Sequence, residues 1–399
     1  MARRRVVGVV ALGAAVLVAA GLAVPVARGL LKDRPAAPAT AGGGGPWERL
    51  PRPPANDVFP GPDPPSVTWT GRELILLGSS AYLPPHGDRP ARGLAYDPDR
   101  SRWRVLPEPP LGNDESAGGA PVWTGTELLL LPAAGSPFAY DPDADRWRRL
   151  NTPPPGLVPE NPPEPAPVWT GAEVLAWGAA YDPATDRWRR LAPSPLSRRT
   201  WTIQAWTGRQ LLVVGGACGD DPRNLCKDGA AYDPAADTWA PVPGPPGGAA
   251  WPDATGVWTG GELIVWSATS DQTGRKVANT ASAYDPASGH WRRLPPAPLV
   301  PRRLAGVVWA GDRLLVWGGL RNLAGDRLAY PEDGAAYDPG GNRWQRLARA
   351  PVPGRAAPLA AWTGYRAIFI GGANLGNRLG LDRGNIPAIT EQGAAWRPR

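Results

Sequence analysis

Short apolar runs alternate with turn-forming residues along residues 46–399, at lengths typical of β-strands rather than helices. The run Leu128–Leu131 is apolar at every position, which predicts a strand that is covered on both faces. Trp-Thr-Gly precedes this run, and Tyr-Asp-Pro and then Trp147 follow it. Because glycine adopts positive φ without strain and Asp-Pro starts a turn, both motifs predict tight connections. Each unit of this kind therefore predicts four short strands in an all-β chain.

This unit occurs seven times. The tyrosine of Tyr-Asp-Pro recurs every 41–53 residues through the first six units, a spacing typical of propeller blades. A sheet that is apolar on both faces is not stable alone, and radial packing covers each face with a neighbouring sheet. The pattern therefore predicts a seven-bladed β-propeller. The tryptophans of the first strands are Trp69, Trp123, Trp169, Trp206, Trp258, Trp309 and Trp362.

The two ends of the repeat region are each incomplete. The last unit stops at Trp396, in the position of the repeat tyrosine, and has no fourth strand. Residues Pro46–Pro54, "PWERLPRPP", look like a fourth strand without the first three, with Trp47 in the position of Trp147. We therefore expect the N-terminal strand to complete the last blade and close the ring, which removes two exposed strand edges.

The repeat resembles the kelch repeat, which has a diglycine after its second strand, Tyr-Asp in its third and Trp in its fourth. The diglycine is present as Gly215–Gly216, Gly318–Gly319 and Gly371–Gly372, and the resemblance covers residues 46–399. It implies the fold of the galactose oxidase central domain, but a fold of this kind does not specify an activity. The copper site of such oxidases needs two histidines and a Tyr–Cys crosslink. The chain has two histidines, His86 and His290, predicted on opposite faces, so we expect no copper, no other metal and no cofactor.

The N-terminus predicts export. Val6–Ala27 is an uncharged apolar run that follows Arg3–Arg5, long enough to cross a bilayer as a helix. Residues 1–31 are therefore expected to be a signal anchor or, as the less favoured alternative, a cleaved signal peptide. Residues 32–45 are rich in Pro and Gly and predict a flexible linker to the propeller at 46–399. The propeller is expected outside the cytoplasm, attached to the cell membrane or secreted.

The candidate ligand site lies on one face of the predicted propeller. The loops between second and third strands, such as 79–93 and 373–393, vary in length and share what we call the long-loop face. The opposite, tight-turn face carries the Trp-Thr-Gly and Asp-Pro turns. Seven residues before the first-strand tryptophan, where the innermost strand begins, stand Arg199, Trp251, Arg302 and Arg355. The arginines could hold a carboxylate or phosphate, or they could pair with carboxylates and carbonyls of their own blades.

Cys218 and Cys226 are the only cysteines, and both lie in the long loop of the fourth unit. In an exported chain so close a pair predicts a disulfide. A structural zinc site would need four ligands, and no histidine is close in sequence. His290 is expected on the tight-turn face as an ordinary surface residue, whereas His86 is expected in a loop of the long-loop face.

The distribution of charge and the absence of recognisable catalytic motifs limit the classes of function that the sequence favours. The net charge of +7 is spread along the chain rather than gathered into a basic stripe, which disfavours nucleic acid binding. No Ser-His-Asp arrangement or phosphate-binding loop is recognisable. The sequence favours a monomeric binding scaffold for a protein or an anionic glycan over an enzyme. The alternatives are an epimerase or sialidase-like enzyme acting on an anionic sugar, and a structural or sensory part of a membrane complex.

Overall fold

The structure is a computed structural model that describes most of the repeat region. The described residues are 46–54, 66–77, 93–110, 121–131, 136–158, 166–176, 178–219, 224–246, 254–270, 277–323, 327–373 and 392–398. The predicted N-terminal helix and linker lie outside them. Every regular element in the described part is a β-strand, and no helix there is long and apolar enough to span a membrane.

Seven four-stranded antiparallel sheets form the blades. Blade one contains β2 (Ser66–Trp69), β3 (Leu74–Leu77), β4 (Gly93–Asp97) and β5 (Arg102–Val105). Blade two contains β6 (Pro121–Trp123), β7 (Leu128–Leu130), β8 (Phe138–Asp141) and β9 (Arg146–Arg149). Blade three contains β10 (Val168–Trp169), β11 (Val174–Ala176), β12 (Ala179–Asp182) and β13 (Arg187–Arg190). Blade four contains β15 (Ile203–Trp206), β16 (Leu211–Val214), β18 (Asp228–Asp233) and β19 (Thr238–Pro243).

The remaining blades follow the same order. Blade five contains β20 (Thr255–Trp258), β21 (Leu263–Ser270), β22 (Val277–Asp285) and β23 (His290–Arg293). Blade six contains β24 (Gly306–Trp309), β25 (Leu314–Trp317), β28 (Gly334–Asp338) and β29 (Arg343–Arg346). Blade seven contains β30 (Leu359–Trp362), β31 (Ala367–Ile370), β32 (Gly393–Trp396) and β1 (Trp47–Arg49). Two small ladders were not predicted: β14 (Arg199–Thr200) with β17 (Ala217–Cys218), and β26 (Arg321–Leu323) with β27 (Arg327–Ala329).

Ring closure by the N-terminal strand is confirmed. β1 pairs with β32 so that Trp47 lies opposite Trp396. The ladder continues at both ends, because Leu50 N donates to Gly393 O at 2.9 Å and Arg397 N donates to Pro46 O at 2.8 Å. The first strands of consecutive blades contact each other all the way around, and β30 of blade seven contacts β2 of blade one. The seven-bladed propeller is therefore a closed ring with the first strands innermost.

The core lies between the blades, and the repeat residues build it. In six blades the tyrosine of the third strand stacks on the tryptophan of the fourth, with ring centroids 4.7–5.2 Å apart. Each fourth-strand indole also donates to a carbonyl of the preceding blade or connector, as Trp147 Nε1 does to Pro107 O at 2.8 Å. An aromatic pair contributes about 0.5–1.5 kcal/mol beyond its buried area. The conserved spacing of Tyr and Trp within the repeat therefore sets the contact between neighbouring blades.

The Trp-Thr-Gly turns are closed by the threonine. Thr70 N donates to Glu73 O, and Thr70 Oγ1 in turn accepts from Glu73 N, both at 3.0 Å. Gly71 between them has φ of 95°, a conformation that residues with a Cβ rarely adopt. The same threonine contacts occur at Thr124, Thr170 and Thr207, so these turns are nearly identical.

Candidate ligand-binding face

The long-loop face is uneven. In blade three, β11 and β12 are separated by only two residues. In blade five, the hairpin of β21 and β22 continues beyond Thr255, the first residue of β20, with Ser267–Ser270 paired to Val277–Thr280. At about 3.3 Å per residue, this hairpin stands roughly 13 Å above the first strand. Blades four and six carry the additional ladders β14–β17 and β26–β27 on the same face. Blades four to six therefore form a raised wall beside the lower blade three.

Arg199, Arg302 and Arg355 all lie at the base of this face, and all three are buried. Each donates through Nε to the carbonyl two residues earlier, and through Nη1 to the first glycine of its diglycine. Nη1 also reaches the carbonyl of the residue at or just before the start of the third strand. Each arginine therefore joins the two ends of the long loop of its own blade.

These contacts are the intramolecular alternative that the sequence left open. Two residues after each arginine the backbone turns through positive φ, at Trp201 (55°), Leu304 (51°) and Ala357 (49°). That turn lets the following residues enter the first strand while the arginine side chain points under the loop. Anion binding by the three arginines stays a prediction. The fourth candidate, Trp251, lies outside the described residues, as does His86.

Arg199 and Arg302 differ in how well their outer nitrogen, Nη2, is satisfied. Arg199 Nη2 contacts Ser197 Oγ and Asp228 Oδ2, each at 3.3 Å. Arg302 is fully buried, and its Nη2 makes no hydrogen bond. Val300 stands where blade four has Ser197, and it offers no side-chain acceptor. A buried N–H without a partner costs free energy, so this nitrogen marks a position that an acceptor oxygen would complete.

The electrostatics around Arg302 favour an additional anion. Burial lowers the pKa of Arg302, which the contact between Nη1 and Asp333 Oδ1, 2.8 Å long, partly offsets. The positive charges of Arg321 and Arg346 lower the pKa of Arg302 further. Arg346 Nη1 also lies 3.4 Å from Asp333 Oδ2, so a single carboxylate serves two guanidinium groups. In blade seven, burial lowers the pKa of Arg355 to about 10.

The outer rim of this face is basic in the described residues. Five of the seven fourth strands end there with an arginine, at Arg49, Arg149, Arg190, Arg293 and Arg346. The acidic repeat residues lie mostly on the tight-turn face, where they are paired within and between blades. The described residues of this face also include the carboxylates of Asp228 and Asp333, each paired with a buried arginine.

The predicted disulfide is present and lies beside Arg199. Cys218 and Cys226 are bonded, with their Cα atoms 5.3 Å apart. Cys218 pairs with Arg199 in the β14–β17 ladder, so the disulfide loop is attached directly to the strand that carries Arg199. An oxygen of Asp228 lies within 4.8 Å of both sulfur atoms. Because these sulfurs are bonded to each other, they are not thiolate ligands for a metal.

The sequence analysis left open a carboxylate partner for these arginines but did not identify the residues, which are Asp228 for Arg199 and Asp333 for Arg302. Asp228 begins β18, and Asp333 directly precedes β28. The signal was in the sequence: the motif Asp-Gly-Ala-Ala-Tyr-Asp-Pro occurs in both blades, whereas blade seven has Gln392 in the place of the aspartate. The co-occurrence of this aspartate with an arginine before the first strand would have predicted the pair.

The repeat motifs and the closed seven-bladed ring together define a kelch-type β-propeller. No protein-family profile matches the chain. A segment of 93 residues is 39% identical to an N-acetylneuraminate epimerase of Yersinia enterocolitica, and the match covers 23% of this chain and 24% of the relative. The chain thus matches about a quarter of the length of this curated relative.

Two solved structures share the architecture. A fungal alcohol oxidase of the AA5 family, in complex with copper, aligns with a TM-score of 0.61 at 14% identity, over 89% of this chain and 76% of its own. The structure of YjhT aligns over 82% of this chain and 94% of its own, at 14% identity and a TM-score of 0.46. At these identities the oxidase likeness establishes the fold alone.

Proposed function

We propose that this propeller binds an acidic carbohydrate on its long-loop face, with blade six as the anchoring point. The observation that carries the proposal is the buried Nη2 of Arg302, which has no hydrogen-bond partner. The partial likeness to an N-acetylneuraminate epimerase supports an acidic sugar as the ligand class. A sugar of this class offers a carboxylate, with which a guanidinium forms strong charge-assisted hydrogen bonds, and hydroxyl oxygens that act as weaker neutral acceptors.

Blade four indicates how such an oxygen would be bound. There, Ser197 Oγ and Asp228 Oδ2 occupy the two acceptor positions at the outer nitrogen of Arg199. In blade six, Asp333 is shared with Arg346, and the serine is replaced by Val300, which is 41% exposed. A ligand oxygen that enters beside Val300 would take the position of the serine hydroxyl. Arg302 itself is fully buried and Val300 is the exposed neighbour, so we place the approach of the ligand on the side of Val300.

An enzyme acting on the same sugar is the second candidate, favoured by the activity named for the Yersinia relative. Such an enzyme would need an acid–base pair beside the arginines. In the part of the chain that the structure describes, the tyrosines with a raised pKa are repeat tyrosines whose hydroxyls lie at the tight-turn face. The described residues therefore support binding more directly than catalysis.

We also propose that the propeller works outside the cytoplasm, as the apolar N-terminal run predicts. β1 begins at Trp47, on the tight-turn face, where it pairs with the end of β32. A tether formed by residues 32–45 would join the propeller at that face. The long-loop face would then point away from the membrane and toward a soluble ligand.

The decisive experiment is calorimetric titration of the purified chain with N-acetylneuraminate and glucuronate, with N-acetylglucosamine as the neutral control. We expect binding of at least one acid and none of the neutral sugar. The variant Val300→Ser supplies the missing hydroxyl, so we expect a higher melting temperature and about tenfold weaker binding of the acid. Ser197→Val is the matched control in blade four; it should lower the melting temperature and leave affinity unchanged.

Two results would reject the proposal at different levels. If neither acid binds, the ligand class is wrong and a protein partner becomes the better hypothesis. If an acid binds equally well to Val300→Ser and to the unmodified chain, the ligand class holds but its placement at Arg302 is wrong.

A further inference from the structure

A charge pair recurs on the tight-turn face and links the second and fourth strands of a blade. A glutamate directly before the second strand pairs with the arginine that follows the fourth-strand tryptophan. In blade one, Arg104 contacts Glu73 through two hydrogen bonds of 3.0 and 2.6 Å. The equivalent pairs are Arg148–Glu127, Arg189–Glu173 and Arg292–Glu262.

Blade seven carries the same pair with its charges reversed. Arg366 precedes β31, in the position of the glutamate, and Glu48 follows Trp47, in the position of the arginine. Arg366 Nη1 lies 3.4 Å from Glu48 Oε2, and Arg397 Nη2 donates to the same oxygen at 3.1 Å. Arg366 is only 5% exposed and its Nη1 contact lacks hydrogen-bond geometry, so Glu48 acts on it mainly as a nearby opposite charge.

Blade one, which neighbours blade seven, differs from blade two at the position that contacts this charge pair. In blade two, the residue five after the repeat tyrosine is Asp145, which accepts from Tyr140 and lies 2.7 Å from Arg104 of blade one. In blade one the same positive-φ position is occupied by Ser101, next to Tyr96. Glu48 occupies in blade seven the position that Arg104 has in blade one, so the repeat geometry places Ser101 beside Glu48 as it places Asp145 beside Arg104. An aspartate at this position would face Glu48, and two carboxylates would repel each other.

We propose that the reversed charges make the edge of blade seven selective for the N-terminal strand. A fourth strand from blades one, two, three or five carries Trp-Arg, and would place its arginine against the buried Arg366. The N-terminal strand carries Trp-Glu, and in blades one, two, three or five Glu48 would meet a glutamate. The six other fourth strands are joined to their third strands by a short turn, whereas β1 finds its partner across the whole chain. The reversed charges of Glu48 and Arg366 therefore act at the pairing of β1 with β32, the one third-to-fourth-strand pairing that no short turn holds in place.

The test is amide hydrogen exchange of residues 46–54 in the full chain, read by mass spectrometry. Glu48→Arg should accelerate exchange in this segment at least tenfold, because three guanidinium groups then share one site. The exchanged pair Glu48→Arg with Arg366→Glu should return exchange to within about threefold of the unmodified chain. In blade two, Arg148→Glu is the control: it should not accelerate exchange at residues 46–54.

Ser101→Asp provides an independent arm. It should accelerate exchange of residues 46–54 in the unmodified chain, and it should have no such effect in the exchanged pair, where an arginine faces the new carboxylate. The proposal is overturned if Glu48→Arg leaves exchange unchanged, or if the exchanged pair is no better protected than the single variant.

Discussion

Trp47→Ala is the most direct perturbation of ring closure. Trp47 is half-buried, with its ring centroid 6.1 Å from that of Trp317 and 5.9 Å from that of Phe369. Its Nε1 donates to Ala348 O at 2.7 Å, which ties β1 to blade six. Truncating a fully buried tryptophan costs about 3–5 kcal/mol, and the partial exposure of Trp47 reduces this. With about 1 kcal/mol for the hydrogen bond, we expect a loss of about 2–4 kcal/mol.

The assay combines urea unfolding, followed by circular dichroism, with limited trypsin digestion. Trp147→Ala is the matched control, because Trp147 makes the equivalent indole bond in a strand that is joined covalently at both ends. Both variants should lower the free energy of unfolding. Only Trp47→Ala should speed cleavage after Arg49, whose Nη2 is otherwise held by Pro351 O at 2.6 Å.

Two outcomes would refute this reasoning. A loss below about 1 kcal/mol for Trp47→Ala would show that the indole contributes less than its contacts imply. Equal cleavage rates after Arg49 in the two variants would show that β1 is not held chiefly by the packing of its tryptophan.

Three further predictions concern the buried groups. Arg302→Met removes the guanidinium donor from the carbonyls of Gly318 and Asp333, and Asp333 O keeps the longer bond from Gly318 N, 3.3 Å. We expect a loss of about 2–4 kcal/mol in urea unfolding, and an unchanged midpoint would contradict the role of this arginine. Reducing the disulfide, which spans a sequence separation of 8, should cost about 2–3 kcal/mol by chain entropy, measured as the shift of the urea midpoint with reductant. Burial and then the hydrogen bond to Asp237 raise the pKa of Tyr232 to about 12. Because this folded-state pKa lies above the usual value near 10, the neutral Tyr232 stabilises the folded state fully below pH of about 10, and this stabilisation is lost as the pH rises toward 12. Tyrosinate absorbance should therefore appear together with unfolding. Titration of all tyrosines near pH 10 in the folded chain would contradict this.

Much of the fold could be predicted because its determinants are local. The four-strand unit follows from an apolar run between two turn motifs, and the paired turns need only glycine and threonine within a few residues. Ring closure was also predictable, since the segment that contains Trp47 supplies the fourth strand that the last unit, ending after Trp396, lacks. The disulfide followed from two cysteines in one loop.

The candidate site was predictable only as a set of positions. The spacing placed Arg199, Arg302 and Arg355 at one offset before the first strand, and the structure places each of them at the base of the long-loop face in its own blade. Their carbonyl partners were not predictable from spacing, because Arg302 reaches carbonyls 16 and 31 residues away. Whether Nη2 of the arginine has a hydrogen-bond acceptor depends on the residue two positions earlier, which is Ser197 in blade four and Val300 in blade six.

The sequence by itself determined the blade, its number of copies and the strand that closes the ring, because each depends on a pattern that repeats along the chain. Tertiary structure alone decided which arginine has an unsatisfied nitrogen, how Glu48 meets Arg366 and which blades rise above the face. These features depend on distances between groups far apart in sequence, such as Trp47 and its acceptor Ala348, which have a sequence separation of 301. A hydrogen bond or a repulsion between such groups is decided within a few tenths of an ångström, which no repeat pattern encodes.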